Sequence, residues 1–207
     1  MKYEWRKQEK NLYLPKQKPV VLDIPEQSFI SLPGQGDPNG SDLKERLQAL
    51  YPMSYGIKAE YRKYCKDKEV EFDDYVVFPL EGVWSLTEAG QKMDHLDKNE
   101  FIYDIMMRVP DFVPSEVVEE AIKNVKEKKY QPLMDDLERK TYSKKQVIEI
   151  LHIGKYDDEP ASFELMNQEC AKLNKTRVSM IHREIYLSDA RRVEPDKLKT
   201  VLRYEIK

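Results

Sequence analysis

The sequence predicts an α+β fold made of two strand-helix-strand-strand halves, related by a pseudo-twofold axis with a ligand groove along it. Three observations predict this. Short β-type runs alternate with three helical segments, the order of elements in the early half returns in the late half, and each half turns at a glycine, Gly34 or Gly154. In both halves an Asp- and Pro-containing loop then leads into a helix.

Residues 1–18 are polar and basic and read as an N-terminal arm. The rest, 19–207, reads as one domain with pseudo-repeats at about 19–110 and 111–207. Val20 to Ile24 and Gln27 to Leu32 are strands broken by Pro25. The loop PGQGDPNG follows, and Ser41 is placed to cap a helix with Leu43, Leu47, Leu50, Ser54, Ile57 and Tyr61 at helical spacing. Pro52 should kink that helix or mark a restart. Tyr75 to Leu86 and Glu100 to Val109 read as strands, and a second helix runs from about Ser115 to Lys128 with Val117, Ala121, Ile122 and Val125 inward. Gln131 to Lys145 is a polar connector without an apolar stripe. Gln146 to Ile153 is a strand, and Asp157, Asp158 and Glu159 before Pro160 open a third helix in keeping with its dipole. Phe163, Met166, Cys170 and Leu173 form that helix's inward stripe. The chain closes with strands at Met180 to Leu187 and Thr200 to Ile206.

With 207 residues, 40% hydrophobic and 10% aromatic with 13 tyrosines, the chain has ample material for a core, and 35% charged residues imply a densely charged surface. A net charge of −3 argues against a phosphate backbone as the main partner. The two cysteines, Cys65 and Cys170, and the three histidines, His95, His152 and His182, show no ligand spacing, so no metal and no cofactor is expected. No phosphate-binding loop, dinucleotide fingerprint or nucleophile elbow is present. The N-terminus lacks an apolar leader and no segment approaches the length of a membrane span, so the expected location is cytoplasmic.

The most informative stretch is HREIYLSDARR, residues 182–192. Alternation puts Ile181, Arg183, Ile185 and Leu187 on one sheet face and Met180, His182, Glu184 and Tyr186 on the other. An acid among amphipathic rings and a thioether suits a flat or cationic guest, although an exposed face or an internal ion pair has the same composition. Gly82 beside Trp84 in PLEGVWSL suggests a strand that something approaches closely, with the indole as a wall or as core. Tyr55 on the first long helix, with Tyr103 and Met107 on a strand, adds soft surface of the kind found in pockets and cores alike.

GDPNG with YPMSYGIK, then PLEGVW, MMRVPDF, HIGKYDDEP, and finally HREIYLSDARR with PDKLKTVLR, resemble the signature blocks of the stand-alone GyrI-like family, which is related to effector-binding domains of multidrug-sensing transcription regulators. The blocks stand in family order from about residue 20 onward. The resemblance implies tandem modules of the GyrI-like, SHS2 type around a central groove for lipophilic, often cationic, small molecules. It implies Glu184 as the pocket carboxylate and Trp84 as a pocket aromatic. This chain departs from the pattern with Arg183 where a second histidine is expected and Ala190 where proline is expected, which puts a proton relay through that histidine in doubt.

The leading expectation is a binding protein for lipophilic cations or planar aromatics, with Glu184, Trp84, Tyr186, His182, Tyr55, Tyr103 and Met107 around the ligand. A diffuse cation can offset the desolvation of a buried carboxylate, and aromatic walls add about 0.5–2 kcal/mol per well-placed ring. The alternative is an enzyme: some stand-alone members that resemble this chain hydrolyse strained cyclopropane rings of DNA-alkylating toxins, and Glu184 would then activate water. An interaction protein whose groove takes a peptide or a protein surface is the third reading. With only about twenty polar residues ahead of the domain, no helix-turn-helix reads DNA, and neither nucleic acid nor membrane is an expected partner.

Overall fold

The computed structural model of the protein describes residues 2–207. The chain opens with β1 (Lys2–Tyr3) and two one-turn helices, α1 (Trp5–Gln8) and α2 (Lys10–Tyr13). Next come β2 (Val20–Ile24), β3 (Gln27–Gln35), the long α3 (Ser41–Asp67), β4 (Asp74–Tyr75), β5 (Leu80–Leu86), β6 (Phe101–Val109) and α4 (Ser115–Lys129). The late half contains β7 (Glu138–Tyr142), β8 (Lys145–Ile153), α5 (Glu159–Lys172), β9 (His182–Tyr186) and β10 (Lys199–Glu205).

Eight strands form one antiparallel sheet in the order β2-β8-β10-β9-β5-β6-β3-β7, and β1 pairs separately with β4. β2 stands at one end of that order and β3 near the other, yet only Pro25 and Glu26 separate them. In a flat sheet those strands would lie about 29 Å apart. The three peptide units from Ile24 to Gln27 span at most about 11 Å. The sheet therefore curls until its ends meet. β7 and β8 are joined in the same way through Ser143 and Lys144, and the register does not slip across either bend. Val20 faces Glu149 and Ile24 faces Lys145, then Gln27 faces Tyr142 and Ser31 faces Glu138. β2–β3 and β7–β8 are in effect two long bent strands that cross at their midpoints.

The pseudo-twofold that exchanges these two long strands also exchanges β6 with β10 and β5 with β9. One transverse row of the sheet reads Ile150, Leu202, Glu184, Gly82, Ile105, Leu32. Ile150 is matched by Leu32, Leu202 by Ile105, and Glu184 by Gly82. The axis thus runs between Glu184 and Gly82, where β9 meets β5.

Alternation then divides the core. On one face, Ile30, Leu32, Trp84, Tyr103, Ile105 and Met107 pack against α3 and α4, and Ile148, Ile150, Leu202 and Tyr204 pack with Met166 and Cys170 of α5. On the other face, Ile185, Val201 and Phe78 pack against Trp5 and Tyr13 of the N-terminal segment. That second face also buries ion pairs. Arg203 donates to Glu149 through Nε at 2.8 Å, Arg183 lies 3.4 Å from Glu81 and stacks over Tyr142 at 4.6 Å, and Arg108 pairs with Glu9. Arg203 also donates to the carbonyl of Leu12, so the N-terminal segment supplies both apolar and polar partners.

Several local expectations change. The polar stretch before Pro19 holds two helical turns, because Glu9 pairs with buried Arg108 and the Trp5 and Tyr13 rings, with Tyr3 beside them, fill the second face. Tyr75–Leu86 divides into β4 and β5, because Pro79 has no N–H to give a ladder. The connector at 131–145 contains β7, an edge strand whose charged ERKTY composition hides its periodicity. α3 continues through Pro52, and the carbonyl that loses its donor belongs to the exposed Gln48. Gly40, not Ser41, stands at the cap of α3. Leu173 ends α5 exposed, while Met166 and Cys170 are buried.

Glu149→Ala leaves the Arg203 guanidinium without its carboxylate partner and should cost about 3–5 kcal/mol in a denaturant titration. Replacing the pair together, Glu149→Leu with Arg203→Met, should cost far less than the single change. Equal losses would mean that the pairing itself contributes little.

Candidate functional site

Between the helices lies a groove with a cavity volume of about 2530 Å³, crossing the junction of β9 and β5. Its floor carries Glu184, His182 and Tyr186 from β9 and Trp84 from β5. Glu184 is 8% exposed and both of its oxygens are engaged. Tyr186 Oη donates to Oε2 at 2.8 Å, and His182 Nε2 lies 3.1 Å from Oε1. Trp84 Nε1 donates in turn to Tyr186 Oη at 2.9 Å, which fixes the phenol and aims its proton at the carboxylate. Burial and the adjacent Glu184 carboxylate hold the Tyr186 phenol well above its usual range.

Gly82 makes this arrangement possible. A Cβ at that position would lie 2.6 Å from Trp84 Nε1 and 3.1 Å from Tyr186 Oη. The absent side chain opposite Glu184 is therefore the space in which indole and phenol meet.

A second carboxyl completes the floor. Glu159, at the start of α5, is 6% exposed, lies within hydrogen-bonding reach of Glu184, and has Oε1 without a partner. Local structure brings it there. Gly154 takes a φ of 143°, the following turn is tied by His152 Nε2 to the Lys155 carbonyl at 2.9 Å and by Nδ1 to Ser162 Oγ at 2.9 Å, and Pro160 stands in the first turn of α5. Burial first, then Glu184, pushes the Glu159 carboxyl far above the usual range, with Asp157 adding to the shift. That shift favours the protonated form of Glu159 beside Glu184. Among the described residues no Lys or Arg forms an ion pair with either acid.

The walls are aromatic. Phe163 meets the His182 ring edge-on at 5.0 Å, Tyr156 meets Tyr186 at 6.2 Å, and Phe101 meets Trp84 at 5.5 Å. Met107 is buried and reaches the groove, while Tyr55 is 60% exposed at its mouth. Tyr103 stands behind Trp84, 4.9 Å between centroids, with its hydroxyl on Asp42 at 2.5 Å, and does not line the groove. Arg183 points to the opposite face. Sequence reasoning read Glu159 as an acid serving the helix dipole and Phe163 as part of an inward stripe, gave Tyr156 no role, and placed none of the three in the site. The i, i+4 spacing of Glu159 and Phe163 on one helical face was the available signal. Among the described residues no cluster of three or more His, Cys, Asp and Glu could hold a metal, and no helix is long and apolar enough to cross a membrane.

Residues 17–207 match the family model of the GyrI-like small molecule binding domain. The chain belongs to this family. Solved structures similar to this GyrI-like chain include an uncharacterized conserved protein from Listeria innocua, 31% identical with a TM-score of 0.85, and a protein described as a hydrolase from the same organism, 30% identical with a TM-score of 0.84. Each match covers 100% of both chains. The EcmrR C-terminal domain shares the fold at a TM-score of 0.53 and 10% identity, over 92% of this chain and 97% of that one. Among curated proteins none matches the sequence.

Two outcomes follow for the site. Because the folded pKa of Glu159 is raised above its unfolded value, the folded state holds the extra proton, and stability falls as pH rises from the usual carboxylate range toward the raised value. Glu159→Gln removes that loss, so its melting temperature should gain on the wild type steadily between about pH 5 and pH 9. A constant difference would show that Glu159 does not carry the proton. Gly82→Ala should break the Trp84–Tyr186 hydrogen bond and cost about 1–3 kcal/mol in denaturant; an unchanged midpoint would show that the rings shift freely.

Proposed function

We propose that the protein is a hydrolase of planar, lipophilic electrophiles, with Glu184 as general base and Glu159 as general acid. The observation that carries this reading is the placement of two buried, mutually interacting carboxyl groups, Glu159 and Glu184, on the floor of an aromatic groove. The hydrolase description of the Listeria innocua structure, at 30% identity over the full length, is in keeping with it.

The proposed chemistry balances within the pair. A strained ring such as a cyclopropane is electrophilic when the electron pair it releases can be accepted, for instance by a conjugated carbonyl. Water held on Glu184 attacks the ring carbon as Glu184 takes its proton, a C–O bond forms and the ring C–C bond breaks. The released electron pair moves to the carbonyl oxygen, which takes the proton of Glu159. The proton gained by Glu184 then passes across the carboxyl contact to Glu159, and the starting state returns with one water added to the substrate. The hydrogen bonds from Tyr186 and His182 leave lone pairs on Glu184 for water and hold the carboxylate in one orientation. Trp84, Tyr156 and Phe163 would hold the planar body of the substrate, and Tyr55 its exposed end.

A second reading, binding of lipophilic cations without turnover, is favoured by a separate observation. Among the described residues no Lys or Arg pairs with either acid while aromatic rings surround them, a setting in which a delocalised cation gains from both charge and ring faces.

Glu184→Gln and Glu159→Gln should each lower turnover of a cyclopropane-fused dienone by about 10²–10⁴-fold while changing its binding only a few-fold. Mass analysis of the recovered compound decides between the readings. Addition of one water by the wild type supports hydrolysis, and recovery of unchanged compound from a saturable complex rejects it in favour of binding.

A further inference from the structure

We propose that the groove takes up a delocalised lipophilic cation in exchange for a proton of the Glu159–Glu184 pair, so that cations are pH-dependent ligands. This rests on the cation-binding reading and adds to it a proton stoichiometry and a pH slope.

The argument starts from the geometry of charge around the pair. From β9, His182 and Tyr186 both hydrogen-bond to Glu184. From β5, uncharged Trp84 supports Tyr186. From the turn before α5, Tyr156 and Asp157 act on the pair, and Asp189 in the β9–β10 loop acts on Tyr156. The nearby basic groups are already engaged: Lys98 with Asp157 at 3.2 Å, Lys155 with Asp196 at 3.5 Å, and Arg191 with Asp189 at 2.8 Å. Arg177 stacks on Tyr204 at 4.3 Å and on Phe163 at 5.4 Å, with two of its nitrogens on the carbonyls of Ser179 and Met180. Among the described residues no Lys or Arg ion pair compensates a second negative charge on the pair, and His182 is the basic side chain in hydrogen-bond reach of it.

Two touching carboxyls shielded from water cannot both ionise without a compensating positive charge. A guest cation seated over Trp84 and Tyr186 supplies that charge at the same place. A proton and a cation would then satisfy the same electrostatic demand, and occupation by one disfavours the other. A neutral guest of the same shape leaves the demand unmet and would bind without displacing the proton.

The test is calorimetry of tetraphenylphosphonium binding in phosphate and in Tris at one pH, with triphenylphosphine oxide as the neutral counterpart, repeated across about pH 6 to 8.5. The difference in heat between the buffers counts the protons released. Expected for the wild type are release of up to one proton per cation and an affinity that climbs by up to about tenfold per pH unit, with neither effect for the phosphine oxide. Glu159→Gln should bind the cation with no proton release and a flat pH profile. Saturable cation binding by the wild type with no proton release overturns the exchange and leaves the cation reading standing. Undiminished release from Glu159→Gln overturns its assignment to the pair. Absence of saturable cation binding removes the cation reading and the exchange together.

Discussion

The structure depends on the junction where β9 meets β5, because there the pseudo-twofold axis passes between a glutamate and a glycine. Everywhere else in the transverse row the two halves are matched by apolar residues. At the axis a perfect repeat would place the same residue twice, and two glutamates or two bulky side chains would collide in the space that Trp84 and Tyr186 now share. Asymmetry at this one pair gives a single acid a defined position, a ring on each side, and the open space of the missing side chain. The equivalent strand positions Trp84 and Tyr186 then join across the axis through one hydrogen bond.

The same strand carries opposite electrostatic solutions on its two faces. Arg183 and Glu184 are neighbours in sequence and both are buried, yet Arg183 finds Glu81, Gln27 and the rings of Tyr142 and Phe29, while Glu184 finds only hydrogen-bond donors and another acid. On the Arg183 face, cations and acids alternate, and charge is balanced within the fold at the expense of desolvation. On the Glu184 face, among the described residues, no Lys or Arg pairs with Glu184 or Glu159, and burial pushes the Glu159 carboxyl up. A glutamine at position 184 would keep a single acceptor oxygen, so Tyr186 and His182 could not both donate to it.

Much of this was legible before any coordinates. The period-two pattern from Met180 to Leu187 separates Arg183 from Glu184, and the Gly82–Trp84 spacing announces a close approach to the strand. Helical spacing in α3 and α4 marks the residues they bury. Glu159 was hidden for a physical reason: an acid in the first turn of a helix is ordinarily there for the dipole and for solvent, and only the docking of α5 on β8 and β10 takes it out of water. The N-terminal segment was hidden likewise, since Glu9 reads as surface charge until Arg108, ninety-nine residues away, is seen beneath it. Long-range pairing, not local propensity, determines both.

The bent strands explain why a small chain can hold so open a groove. β2–β3 and β7–β8 cross once and keep register through their bends, so the sheet closes on itself and resists flattening. Its far side is filled by Trp5, Tyr13 and Phe78 together with the ion pairs, and its near side is held apart by α3 and α5, which pack on different halves. Neither helix needs to cover the junction of β5 and β9 for the fold to be stable. That leaves the axis free to be a site, with its rigidity supplied by the curled sheet and its access left between the helices. Rigid walls suit stacking against planar molecules, and fixed dipoles around Glu184 need no rearrangement when charge appears beside them.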